Sequence, residues 1–73
     1  MKPYLVRARI PDIRPPDNGA ATLFVAYGAT EAEALSQVQA SAPPGWTVDE
    51  VVGIALDSYV ERHRLRPGAV TRY

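Results

Sequence analysis

The sequence of 73 residues predicts a small α+β domain with one antiparallel sheet and one main helix packed on a face of that sheet. Three observations support this fold class. Two runs of strand-forming residues come first, a capped stretch rich in alanine and glutamate follows, and a third strand-like run comes after a Pro-Pro-Gly stop. The expected order is β-β-α-β, followed by a short helix or a strand-like C-terminal tail.

The first strand is predicted from Tyr4 to Ile10, where apolar and polar residues alternate. A period of two is typical of a strand with one buried face. The predicted faces are Tyr4, Val6, Ala8 and Ile10 on one side, and Leu5, Arg7 and Arg9 on the other. Residues 11–20 contain the turn cluster PPDNG and are long for a hairpin connection, so we expect a flexible loop there.

The second strand is predicted over Leu23–Tyr27, which is rich in apolar β-forming residues. Small residues allow a helix to approach a sheet closely, so the side that carries them is expected to face the helix. That side holds Phe24, Ala26 and Gly28, while Leu23, Val25 and Tyr27 point to the opposite face.

The main helix is predicted over residues 31–41 from signals at both ends. Thr30 and Glu33 have the T-x-x-E spacing of a capping box. In that motif the Thr30 hydroxyl accepts from the Glu33 N–H, and the Glu33 carboxylate accepts from the Thr30 N–H. Pro43-Pro44-Gly45 cannot continue the helix and biases Ala42 away from helical geometry.

Residues 46–56 fit two structures. In a strand, one side holds Trp46, Val48, Val52, Ile54 and Leu56, with Glu50 as an interruption at a bulge. In a helix, Thr47 and Glu50 form a second capping box. We favour the strand because residues 51–54 combine β-branched side chains with a glycine that weakens a helix.

The C-terminal part is predicted as a short helix and a tail. Asp57 or Ser58 is expected to cap a helix that ends near Leu65. Residues 67–73 then form either a disordered tail or an added edge strand. The whole chain is expected to form a single domain, whose small core makes oligomerisation a common supplement.

Composition and charge exclude several classes of protein. The chain has no cysteine, no apolar run near the roughly 20 residues that span a bilayer, and no apolar core of a signal peptide, so we expect a cytoplasmic protein. Its zero net charge is segregated as +2 over residues 1–30, −6 over 31–61 and +4 over 62–73. This distribution indicates internal pairing or faces of opposite sign rather than a uniformly basic nucleic-acid binder.

Catalytic and metal-binding motifs are not apparent in the sequence. His63 is the only histidine and lies among charged residues, without an identifiable catalytic partner. Asp49 and Glu50 are neighbours and would point to opposite faces of a strand, which disfavours a metal site. We therefore expect no enzyme activity, no catalytic residue, no metal, no cofactor, no small-molecule substrate and no membrane partner.

The sheet face opposite the helix is the leading candidate for function. Its predicted apolar residues are Leu5, Leu23, Val25 and Tyr27. Left uncovered, they would form a patch that monomers usually avoid. A second copy of the chain, another protein, or residues 57–73 of the same chain could cover it. We predict an accessory or interaction domain, regulatory in character, that forms a homodimer or binds a protein partner through a sheet face or edge.

The alternative function is nucleic-acid binding. It would use arginines of the first strand and of the C-terminal segment: Arg7, Arg9, Arg62, Arg64 and Arg66. Tyr27 and Tyr59 could supply stacking surfaces. The opposing interpretation is that these arginines pair with the acidic middle of the chain.

The run from Phe24 to Leu35 resembles the strand–helix junction of many small β-β-α-β proteins of bacteria, phages and mobile elements, among them regulatory or accessory proteins of antitoxin-like type. Any strand that leads into a capped helix rich in alanine and glutamate produces the same pattern. The resemblance therefore implies the local fold and carries over no functional residues.

Overall fold

A computed structural model describes residues 1–9 and 21–73 of the chain. Its elements are β1 (Lys2–Arg9), β2 (Ala21–Gly28), α1 (Glu31–Ser41), β3 (Thr47–Ile54), α2 (Asp57–His63) and β4 (Val70–Arg72). The four strands form one antiparallel sheet in the order β3-β1-β2-β4, which confirms the predicted α+β class. The flexible loop predicted at residues 11–20 lies outside the described residues, as does Ile10.

The core lies between α1 and one face of the sheet. Its buried members are Tyr4, Val6, Ala8, Phe24, Ala26, Ala34 and Val38. The predicted orientation of the first two strands is therefore correct, because their helix-facing residues are those expected from the alternation. Trp46 closes one end of this core, with its ring centroid 5.8 Å from that of Phe24.

Helix α1 begins and ends where its local signals predict. The Glu33 N–H donates to the Thr30 hydroxyl at 3.1 Å. The Glu33 carboxylate accepts from the Ala29 N–H at 3.3 Å, one residue earlier than the capping-box prediction of Thr30. At the other end, the Ala42 N–H donates to the Val38 carbonyl at 2.8 Å, and Ala42 itself is extended.

Gly28 marks the close approach of β2 to α1. A Cβ atom placed on Gly28 would lie 3.3 Å from Gln37 Oε1 and 3.6 Å from the Ala34 backbone nitrogen. The first of these atoms is at the end of a flexible side chain. The glycine therefore eases the packing of the helix, and an alanine would require only a small movement of Gln37.

The strand alternative for residues 46–56 is correct, although the predicted buried side of this strand is wrong. The pairing of β3 with β1 shifts register between Leu5 and Val6 and again between Arg7 and Ala8. Each shift adds a residue to β3 and interrupts the alternation of its side chains. As a result Val51, and not the expected Val52, joins Val48 against the core. Ile54 pairs with Tyr4 on the core side, but it is exposed, as is Leu56.

The segment after β3 returns across the sheet to its far edge. Leu56 precedes α2 without a side-chain cap, so the predicted caps Asp57 and Ser58 are instead the first residues of the helix. Arg64 ends α2 in the left-handed conformation, with φ of 51°. Residues 70–72 then pair with β2 as an added edge strand. Neither described helix has the length and apolarity needed to cross a bilayer.

Candidate functional site

The sheet face opposite α1 is covered within the chain at its centre. Leu5 pairs with Val25 and Pro3 with Tyr27 across β1 and β2. Val25 and Pro3 have less than 2% of their surface exposed, although α1 lies on the other side. Of the predicted interface residues, Leu5, Leu23 and Tyr27 are half-buried, and Val25 is fully buried.

The C-terminal segment lies over this face. The Tyr73 N–H donates to the Leu23 carbonyl at 2.9 Å and continues the β4 pairing. The Tyr59 hydroxyl of α2 donates to the Arg72 carbonyl at 3.1 Å, and its ring centroid lies 5.5 Å from that of Tyr73. Because Tyr73 shares the side of β2 that carries Leu23 and Val25, Tyr59 belongs to the same side. The structure thus favours internal cover over an open sheet face.

Three exposed aliphatic side chains lie on β3 or directly after it. Strand β3 has eight residues and borders β1 on one side, with no strand beside its outer edge among residues 1–9 and 21–73. Val52 is 46% exposed, Ile54 51% and Leu56 76%. We call these three residues the apolar edge. The alternation predicted all three in the core. The bulge at Val52 could not be predicted in this way, because it depends on the pairing of β3 with β1.

The first half of β3 carries a compact group of charges. Arg7 donates to Asp49 at 3.1 Å and to Glu50 at 2.8 Å, and Arg9 donates to Asp49 at 2.8 Å. The hydrogen bond from Arg9 is the main cause that holds the pKa of Asp49 below its usual 3.8. The charge of Arg9 and the contacts with Arg7 act in the same direction, against partial desolvation. These four residues form the charge cluster.

The charge cluster divides the five arginines predicted to bind nucleic acid. Arg7 and Arg9 are brought together, but each is already bonded to a carboxylate of β3. Arg62, Arg64 and Arg66 are exposed, and none is within ion-pair distance of a carboxylate of the described residues. The alternative function therefore depends on the three C-terminal arginines.

A small groove lies next to Arg62. It has a volume of about 210 Å³ and is lined by Leu56, Ser58, Tyr59, Arg62 and Tyr73. Tyr59 is the middle ring of a stack, with centroids 4.1 Å from His63 and 5.5 Å from Tyr73. We call this feature the aromatic groove. Sequence reasoning identified Tyr59 as a stacking residue but did not include Tyr73, whose position depends on the pairing of β4.

A wider depression of about 450 Å³ lies between α1 and β3, with Leu35, Ala40, Val48 and Asp49 among its walls. Asp49 is already bonded to two arginines there. Within the described part of the chain, no three His, Asp or Glu side chains are grouped closely enough to hold a metal ion. Comparisons of the chain with protein-family models, with curated proteins and with solved structures found no match.

Proposed function

We propose that this protein is a non-enzymatic interaction domain that self-associates through the outer edge of β3. In this arrangement β3 pairs with β3 of a second copy and the two sheets become continuous. The observation that carries the proposal is the apolar edge, three exposed aliphatic residues at one end of a long edge strand. An exposed edge with such residues favours pairing with another chain. Association of this kind suits an accessory or regulatory domain.

The second half of β3 is the part suited to pairing. The bulge at Asp49 and the charges of Asp49 and Glu50 protect the first half, since both features oppose edge-to-edge association. The other bulge is at Val52, inside the second half. The second half lacks charges from residue 51 to residue 56. A two-fold axis at Gly53 would place Val52 opposite Ile54 of the second copy, and two glycines would face each other at the axis.

The exposed area predicts a weak dimer. Fully burying an aliphatic side chain yields about 1.5–3 kcal/mol, so the half-exposed Val52 and Ile54 and the more exposed Leu56 supply about 1–2 kcal/mol each. Because an isologous interface uses every residue twice, the apolar edge supplies about 6–12 kcal/mol in total. Association itself costs about 4–15 kcal/mol. Backbone hydrogen bonds add about 0.5–1.5 kcal/mol each, which leads to an expected Kd of about 1 μM–1 mM.

The test is the molar mass of the protein over a wide concentration range, by sedimentation equilibrium or light scattering. The wild-type mass should rise from that of the monomer to that of the dimer. The variant Ile54→Lys should stay monomeric, because it places a charge at the centre of the interface. The matched control Ala32→Lys changes an exposed residue of α1 and should behave as wild type.

Circular dichroism of each variant checks that the fold is retained. A wild-type mass that stays monomeric up to millimolar concentration would contradict the proposal. A dimer that persists equally in Ile54→Lys would show that another surface is used.

A further inference from the structure

We propose that the aromatic groove, together with Arg62, Arg64 and Arg66, binds single-stranded nucleic acid. One base would stack on Tyr73, and the adjacent phosphates would lie along the three arginines. This site is on the C-terminal segment and shares only Leu56 with the apolar edge of β3. Its recognition would be tolerant of sequence, because stacking and charge act on any base and any phosphate.

The stack of rings forms a platform that is ordered before a ligand arrives. The Tyr59 ring lies between His63 and Tyr73, at tilts of 32° and 36°. Its hydroxyl is anchored on the Arg72 carbonyl, and the Tyr73 backbone is anchored on Leu23. Tyr73 nevertheless remains 64% exposed. A base that stacks on this ring adds to an existing series and does not have to order it.

The size of the groove favours a single ring as its occupant. Its volume of about 210 Å³ is below the ~300–1,000 Å³ typical of sites that enclose a whole small molecule or cofactor. The walls combine two tyrosines, Tyr59 and Tyr73, with the basic residue Arg62. A nucleotide matches both features, because its planar base can stack on the rings and its anionic phosphate can pair with the arginine. A paired base in a duplex has its faces covered, so the single strand should be preferred.

The distribution of charge supports a phosphate backbone at this end. Arg7 and Arg9 are occupied by β3 carboxylates, whereas Arg62, Arg64 and Arg66 have no such partner among the described residues. Asp57 and Glu61 lie on α2 beside them and limit the affinity. Two or three phosphate contacts predict a log–log slope of affinity against salt of about −1.4 to −2.1 for a single strand.

The experiment measures binding of the full chain to a fluorescein-labelled oligothymidine of about 12 nucleotides, within the range of sites on comparable modules. Fluorescence anisotropy is recorded over a salt series, with a duplex of the same length as competitor. The variants are Tyr73→Ala, Arg62→Gln and, as a matched control, Arg72→Gln. The Arg72 guanidinium lies over Trp46 at 5.6 Å, away from the groove. Thermal unfolding confirms that each variant is folded.

We expect the wild type to bind at low salt and to prefer the single strand over the duplex. Tyr73→Ala should weaken binding about five-fold or more with an unchanged salt slope, because one base stack is lost. Arg62→Gln should reduce the magnitude of the slope by about 0.7, because one phosphate contact is lost. Arg72→Gln should leave both quantities near wild type.

Three results would overturn the inference. The first is no binding to the oligonucleotide at low salt. The second is binding to the duplex as tight as to the single strand. The third is an equal effect of Arg62→Gln and Arg72→Gln, which would show that binding depends on the net charge of the protein and not on this site. Binding by the Ile54→Lys variant separates this site from self-association, since the two surfaces share no tested residue.

Discussion

Val25 tests whether the sheet face opposite α1 is covered by the chain itself. Its side chain lies on the sheet face opposite α1 and has no exposed surface. Val38 of α1 is equally buried and belongs to the core on the other side of the sheet. The variants Val25→Ala and Val38→Ala thus remove the same two methyl groups from opposite faces.

Internal cover of Val25 predicts a loss of stability similar to that of a core residue. Two buried methyl groups correspond to about 1.6 kcal/mol of transfer free energy, and the cavity left behind adds about 1 kcal/mol. The free energy of unfolding should therefore fall by about 2–3 kcal/mol in each variant. For a domain of this size each 1 kcal/mol lowers the midpoint by about 4–8 °C, so a fall of about 8–24 °C is expected.

The measurement is urea denaturation followed by circular dichroism, at two protein concentrations. Equal losses for Val25→Ala and Val38→Ala, independent of concentration, would agree with cover by the chain itself. A loss below about 0.5 kcal/mol for Val25→Ala, the range of surface substitutions, would refute this reasoning if Val38→Ala still costs 2–3 kcal/mol. Concentration dependence of the Val25→Ala loss alone would assign the cover to a second copy.

Three further predictions concern local features. Thr30→Ala removes the hydroxyl that accepts from the Glu33 N–H and should lower the free energy of unfolding by about 1 kcal/mol in urea denaturation; an unchanged midpoint would contradict the cap. Arg64→Gly should raise the free energy of unfolding by about 1 kcal/mol, because glycine adopts a φ of 51° without the steric cost that other residues bear. A lower urea midpoint than that of the wild type would contradict this expectation. The lowered pKa of Asp49 stabilises the fold above its unfolded value of 3.8, and this contribution is lost as the pH falls through the lower folded value. The difference in thermal midpoint between wild type and Asp49→Asn should thus be largest near neutral pH and should disappear in acid. A difference that does not change with pH would exclude the ion pairs as its source.

Local signals in the sequence were sufficient for α1 and for the fold class. The cap at Thr30 and the stop at Pro43-Pro44-Gly45 act within a few residues of the helix they bound, so the predicted helix 31–41 agrees with the structure. The alternation of β1 and β2 likewise predicts which side chains face α1, because the two strands pair without a register shift.

Features that depend on distant pairing could not be predicted in this way. The two bulges of β3 arise where it pairs with β1. They place Val51 instead of Val52 against the core and leave Val52 exposed. The same pairing places Asp49 against Arg7 and Arg9 and so removes two of the five predicted phosphate-binding arginines. Segregated charge in the sequence indicated pairing, but its partners follow only from strand order.

The sequence by itself determined the elements of this protein, because caps, turns and alternation act over a few neighbouring residues. Only the tertiary structure decided which surfaces remain open. The return of the chain to β4 places Thr71 beside Val25 and Tyr73 on the same side of the sheet, and the strand order leaves the outer edge of β3 unpaired among the described residues. Both outcomes depend on contacts between residues far apart in the chain, and they moved the candidate interface from the face of the sheet to its edge.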